Sequence, residues 1–164
     1  MRSVDLSVPV GTSVAVVGAS GAGKSTLAAI IAGLLPASAG NALMHDAHGG
    51  IDVASLDDEN RASWIGMLAQ DTHVFTGTLR DDLSLAASDA DDQRISAVLE
   101  AVGAQWATTL PEGLDTLVGA GGTHLDPART QQLALARIAL TDPPVVILDE
   151  ASAAVGSAHA RELD

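Results

Sequence analysis

Apolar residues along the chain fall into runs whose length and spacing predict alternating strands and helices. Val14 to Val17, within "SVAVVGAS", is a β-branched run ending in glycine, which predicts a buried strand entering a loop. "KSTLAAIIAGLLP" follows as a helix. Its nearly continuous apolar content predicts burial on most sides and an end near Gly33, before Pro36. From Ala37 to Leu56 the breakers "SAGN" and "HGG" indicate short strands or loops, and "WIGMLAQ" is a further strand.

Beyond Gly77 the chain is acidic, and through Gln93 to Ala104 the residues Ile95, Val98, Leu99 and Val102 recur at helical spacing. "HLDPARTQQLALAR" begins another helix: Asp126 can cap the free N–H groups of the first turn, and Pro127 suits a position that needs no N–H partner. Leu133, Ala136 and Leu140 form its apolar stripe, widened by Leu135 and Ile138. Pro143 and Pro144 stop it, and "VVILDE" predicts a buried strand with acidic residues at its C-terminal end. In an open α/β sheet that end is where ligands bind.

With 164 residues, 47% of them hydrophobic, the chain suits one domain with a sizeable core. Its 8 basic and 21 acidic side chains give a net charge of -13, which argues against broad binding to nucleic acid or anionic lipid. No apolar run reaches the roughly 18 to 20 residues of a membrane span, and the region after Met1 lacks a secretory pattern. The absence of cysteine excludes disulfide frameworks and thiolate zinc sites, and leaves a cytosolic, soluble chain as the expectation.

"GASGAGKST", Gly18 to Thr26, fills every position of the phosphate loop G-x-x-x-x-G-K-[ST], between the first predicted strand and helix. Gly18, Gly21 and Gly23 let the backbone wrap phosphate oxygens with its N–H groups inward, where a Cβ would obstruct the approach. Ala19, Ser20, Ala22 and Thr26 complete the cradle. Lys24 would reach the β- and γ-phosphates, Ser25 would ligate Mg²⁺, and the helix N-terminus adds its dipole. In "VVILDE", Asp149 is placed to hold Mg²⁺ through water, and Glu150 to orient or deprotonate an attacking water.

Together these residues resemble the nucleotide-binding domain of an ATP-binding cassette (ABC) transporter of the exporter type, over nearly the whole chain. "MLAQDTHVFTGTLRDDL" resembles the family's Q-loop region, with Gln70 at the glutamine that contacts Mg²⁺ and the attacking water and senses the transmembrane partner. "LPEGLDTLVGAGG" and "QQLALARIALTDPPVVILDEAS" resemble the segments before and after the signature motif. The resemblance implies an α/β P-loop NTPase fold: a RecA-like core with a parallel sheet over about 1–78 and 141–164, and a helical subdomain over about 79–140. It further implies ATP and Mg²⁺ as ligands, and two cassettes closing head to tail on two ATP molecules. Each site then joins one chain's phosphate loop to the other's signature.

Several positions depart from the family pattern. "LDPAR" stands where "LSGGQ" belongs: Asp126 follows Leu125 in place of serine, Pro127 removes an N–H, Ala128 replaces the second glycine, and Arg129 follows. A carboxylate facing phosphate is repulsive, and losing donors there removes stabilisation that reaches a few kcal/mol in catalytic sites. The stretch therefore reads as a sound helix start and a degenerate half-site, with Arg129 offsetting part of the loss. Ala120 stands where exporters commonly carry a glutamate, and Gly156 where the D-loop aspartate belongs. Met1 to Val17 offers no ring to stack on adenine, a contact of about 0.5–1.5 kcal/mol, and His159 is too near Glu150 to be the switch histidine. These features lead to the expectation of a cassette truncated at both ends, its membrane domain preceding Met1.

Other candidates carry less. His45 and His48 read as solvated loop residues, not metal ligands, and Ser20 and Ser25 lack a nucleophile-elbow context. Asp81, Asp82, Asp89, Asp91 and Asp92 read as a solvated acidic face and a helix start. The expected function is a Mg-ATP-hydrolysing exporter cassette at the cytoplasmic face of the cell membrane. Its expected partners are a transmembrane domain and a second cassette, identical or, given the altered signature, a different chain supplying an intact one. The alternative is a cassette that binds ATP without turning it over; a DNA-repair cassette is disfavoured by the charge and by "TGTLRDDL".

Overall fold

The computed structural model describes residues 3–46, 49–69 and 71–149, and the chain divides after Arg61 into two units. In the first, residues 3–23 form no helix or strand. α1 (Lys24–Ile31) follows, ending just before Gly33 as expected. β1 (Leu43–Asp46) and β2 (Gly49–Asp52) pair as an antiparallel hairpin, Leu43 opposite Asp52, followed by a 3-10 turn over Val53–Ser55. Asp52 caps that turn by accepting from the Ala54 N–H at 3.0 Å, and Val53 is buried. α2 (Asp58–Trp64) starts where the Asp57 carboxylate accepts the Asn60 N–H at 2.8 Å.

Two expectations for this region are overturned. The run Val14 to Val17 is not a buried strand: Val17 is 90% exposed, and Val14 and Val16 are about half exposed. A strand needs a hydrogen-bonded neighbour, and among the described residues the bonds of residues 3–17 amount to a local turn, Thr12 N–H to Pro9 O at 3.2 Å. α1 likewise has no fully buried residue, so its apolar composition is only half covered.

In the second unit β3 (Ile65–Leu68) and β6 (Val145–Leu148) pair in parallel, Ile65 beside Val145 and Leu68 beside Leu148. The Asp149 N–H extends the ladder to Leu68 O at 2.9 Å. β6 is not the buried strand its sequence predicts, because Val146 and Leu148 on its second face are about half exposed. Between these strands lie β4 (Gly77–Thr78), α3 (Leu79–Ser84), α4 (Asp92–Ala101), β5 (Leu117–Val118) antiparallel to β4, and α5 (Pro127–Thr141). The arrangement is α/β with a parallel pair, as expected of the fold class. Leu79 and Leu83 of α3, Ile95 and Leu99 of α4, and Leu133, Ala136 and Leu140 of α5 form one core with Val118 and Leu125.

α5 holds the strand pair and the helical core together. Gly66 in β3 is where α5 comes close: a Cβ there would lie 2.6 Å from Ile138 Cγ2 and 2.9 Å from Pro143 Cγ. At its far end Asp142 adopts a left-handed conformation, φ 47°, and Pro143 and Pro144 prevent continuation. α3 is fixed by a reciprocal cap: Thr78 Oγ1 accepts the Asp81 N–H at 3.0 Å, and Asp81 Oδ2 accepts the Thr78 N–H at 2.9 Å. Arg80 bridges Asp92, on the first turn of α4, and Asp115.

The acidic residues are thus more than a solvated face. Asp82 is 1% exposed and paired with Arg137, because an ionised carboxylate can leave water only where donors replace it. Asp91 caps α4 by accepting the Arg94 N–H at 2.8 Å, as a helix start should.

Replacing Gly66 with alanine is expected to cost about 1–3 kcal/mol by overpacking α5 against β3, read as a lower urea midpoint. Acid provides a second test. Hydrogen bonds from the Thr78 backbone and hydroxyl hold the Asp81 carboxyl below its ordinary value, and the bond from Arg80 does the same for Asp92. Depressed folded values mean that this stabilisation is complete above the unfolded aspartate value of about 3.9 and is lost as pH falls through the folded values. Helicity of α3 and α4 should decline below about pH 4, and Arg80→Ala should remove the Asp92 share of that dependence.

Candidate functional site

The phosphate-loop segment turns tightly in front of α1. Gly21 has φ 75° and Gly23 φ 94°, conformations costly for any residue with a Cβ, and the Ala22 N–H bonds Ala19 O at 3.1 Å. Gly23 is the N-cap of α1 and brings no side-chain acceptor, so no side chain caps the first-turn N–H groups there. Lys24 folds back over the loop, its Nζ donating to Gly18 O at 3.0 Å and Ala19 O at 3.1 Å. Ser25 and Thr26 lie exposed on the first turn, and Gly18, Ala19, Ser20 and Ala22 are exposed along the loop. The assembly presents backbone donors, one ammonium and a helix dipole to solvent, which is what an oxyanion needs.

In the second unit the parallel register of β3 and β6 sends two chemistry-bearing segments out of the same end of the strand pair. Ala69 follows Leu68, and half-buried Asp149 follows Leu148. Gln70 and Glu150 come one residue later in sequence and lie outside the described residues, as do His48, Gly156 and His159. His45 sits in β1 with its ring over Gly50. Beside the segment leaving β3, a cavity of about 230 Å³ is lined by Leu68, Thr72, His73 and Phe75 and, from α5, by Ala134 and Arg137.

The start of α5 is built as its sequence predicts. Asp126 Oδ1 accepts the Arg129 N–H at 2.9 Å, and Pro127 occupies the first helical position. Leu125 is buried, whereas Asp126, Pro127 and Ala128 face solvent. Arg129 turns back: its Nε lies 3.7 Å from Asp126 Oδ2 and its guanidinium carbon 5.0 Å from the Trp106 ring centroid. Trp106 is fixed in turn by donating Nε1–H to Gln132 Oε1 at 2.8 Å, while Gln132 Nε2 donates to Gly103 O at 2.8 Å.

A family profile described as ABC transporter matches residues 1–153. The chain belongs to the ABC transporter family. It is 34% identical over 154 residues to the ABC multidrug transporter mdr2 of Aspergillus fumigatus, covering 94% of this chain and 19% of that protein. It is 34% identical over 160 residues to the mycobactin import ATP-binding/permease protein IrtB of Mycolicibacterium thermoresistibile, covering 97% and 27%. To the ATP-dependent lipid A-core flippase of Haemophilus influenzae it is 32% identical over 165 residues, covering 99% and 27%. The chain thus spans about a fifth to a quarter of the length of these relatives and corresponds to their ATP-binding part, a P-loop NTPase domain of exporter type.

The sequence reading of Asp82 as part of a solvated face is overturned by its burial against Arg137, and neither Arg137 nor the anchoring of Trp106 was foreseen. Arg137 did leave a signal: it stands beside Ala136 and one turn from Leu133, within an apolar helix face, where a guanidinium must have a partner. At the start of α5 the Asp126 carboxylate stabilises the first turn. Asp126→Ala should cost about 1 kcal/mol in chemical denaturation, while Asp126→Ser should stay within a few tenths, since serine caps as well as aspartate.

Proposed function

We propose that this chain is the Mg-ATP-binding and hydrolysing domain of an ABC exporter, working at the cytoplasmic face of the cell membrane with a transmembrane domain and a second cassette. The observation that carries the reading is the loop in front of α1, with its two left-handed glycines, first turn without a side-chain cap, and Lys24 held within reach.

On this reading Lys24 exchanges the Gly18 and Ala19 carbonyls for the β- and γ-phosphate oxygens, and the backbone of Gly18 to Gly23 cradles the phosphates. By the family resemblance Ser25, Asp149 and Gln70 would each offer an oxygen donor of the kind a hard divalent cation takes. When bound, Mg²⁺ neutralises charge on the phosphates. Glu150 takes a proton from water as its oxygen attacks the γ-phosphorus, and the bond to the bridging oxygen of ADP breaks. The core about 1–78 and 141–164 would bind nucleotide, and the helical part about 79–140 would meet the opposing cassette.

A second reading, an ATP-holding cassette paired with a catalytically complete partner, is favoured by α5. There the carboxylate of Asp126 occupies the first turn, and Pro127 has no N–H to give. On the first reading, by contrast, a different chain would supply an intact signature to this phosphate loop, leaving the site at α5 mainly to bind. Direction follows the membrane domain: among the relatives, one is named for import and others for multidrug transport or flipping of lipid A.

Calorimetry with Mg-ATP, followed by single-turnover cleavage with the chain in excess over ATP, tests both. Lys24→Ala should weaken binding by roughly 10- to 100-fold, the loss of a charge-assisted bond. Cleavage abolished by Glu150→Gln supports the enzyme. Binding without cleavage supports the second reading, and no binding by the unaltered chain refutes both.

A further inference from the structure

Asp82 and Arg137 have no part in the chemistry above, yet Asp82 is the one fully buried carboxylate among the described ion pairs. Both of its oxygens are used: Oδ1 accepts from Arg137 Nη1, and Oδ2 accepts the Phe75 N–H at 2.7 Å. The same guanidinium donates through Nη2 to the His73 carbonyl at 2.8 Å, and its carbon lies 5.3 Å from the Phe75 ring centroid. One charge pair therefore joins three segments: α3 through Asp82, α5 through Arg137, and the backbone of the loop after β3 at positions 73 and 75.

Joining helices alone would not require charge. A buried ion pair can often be replaced by apolar side chains of similar volume without loss of stability, because desolvation consumes most of the attraction. What apolar side chains cannot do is hold a carbonyl and an N–H two residues apart on a loop. Packing holds this loop in part, through Val74 against the apolar core, but a cavity of about 230 Å³ lies between the loop and α5, so the His73 carbonyl and the Phe75 N–H are fixed by the charge pair. His73 comes three residues after Gln70 in sequence, so fixing 73–75 fixes the chain close to that position.

We propose that Asp82 and Arg137 are positioning residues for ATP cleavage, anchoring the loop that carries Gln70 through the His73 carbonyl and the Phe75 N–H. The inference rests on the ATPase reading of the chain. Neither side chain is assigned contact with nucleotide; both act through the loop.

Two variants test this: Asp82→Val/Arg137→Met, which keeps apolar volume and removes both anchors, and Arg137→Lys, which keeps the charge but cannot fork to Asp82 and His73 together. The double variant should melt near the unaltered chain, with Phe75 amide exchange at least about 10-fold faster. Its Mg-ATP dissociation constant should stay within about twofold, and single-turnover cleavage should fall about 10- to 100-fold, as for a misplaced catalytic group. Arg137→Lys should show the same split in smaller measure, and it decides the matter if the double variant does not fold. Cleavage at the unaltered rate despite faster exchange, or affinity and cleavage falling together, overturns the proposal while leaving the ATPase reading standing. An unaltered chain that binds but does not cleave overturns the ATPase reading, and this inference with it.

Discussion

Burying the Asp82 carboxylate constrains the second unit more than any other contact described there. A charged group with no exposure must be met on both oxygens, and the donors that meet it come from different parts of the chain: the Arg137 guanidinium and the Phe75 N–H. Losing either side of such a pair typically costs about 3–5 kcal/mol, a large part of the stability of any domain. α3 and α5 consequently have little freedom of relative placement, and the apolar core of Leu79, Leu83, Leu133, Ala136 and Leu140 fills the space that the pair defines. Gly66 adds the other limit on α5, since its missing Cβ lets Ile138 and Pro143 approach β3. Between a charge pair on one side and a glycine on the other, α5 has one seat.

The phosphate loop works from a different principle. Its donors are backbone groups at a helix start that no side chain caps, so its competence depends on what is absent: a Cβ at Gly21 and Gly23, and a capping acceptor at Gly23. Lys24 meanwhile satisfies two loop carbonyls, which holds its charge above the loop at modest cost. In the proposed role, exchanging those neutral acceptors for anionic phosphate oxygens would be favourable, because hydrogen bonds with both partners charged are stronger than those to neutral acceptors.

What could be read from the sequence follows from how local each determinant is. The cap and proline that start α5, the prolines that stop it, the loop glycines and the helical spacing in α4 are decided within a few residues, and each is found where it was expected. Burial is not local. Val14 to Val17 has the composition of a core strand, but no described partner pairs with it, and among the described residues β6 is covered on one face more than the other, so Val146 and Leu148 remain half exposed. Asp82 failed in the opposite direction. Next to Asp81, which caps its own helix, it looked like one more surface carboxylate, and only the fold brings Arg137 to it from 55 positions away. The roles of Gln70 and Glu150 rest on family resemblance, since both lie outside the described residues, although the parallel register sends their preceding neighbours out of the same sheet end.

The two helix starts differ in how their first-turn hydrogen bonds are met. A first helical turn has a few N–H groups without intrahelical acceptors, and each can serve only one strong partner well. At α1 glycine leaves them without a side-chain cap, and a ligand with phosphate oxygens gains what the helix lacks. At α5 Asp126 has already taken the Arg129 N–H, Pro127 has none, and the carboxylate brings a negative charge to the dipole's positive end. Arg129 cannot readily compensate, because Asp126 and the Trp106 face hold its guanidinium back from the tip. The features that make α5 a stable helix thus make it a poor phosphate receptor. The same chain carries one helix start with its first-turn donors open to an anion and one whose donors are already used.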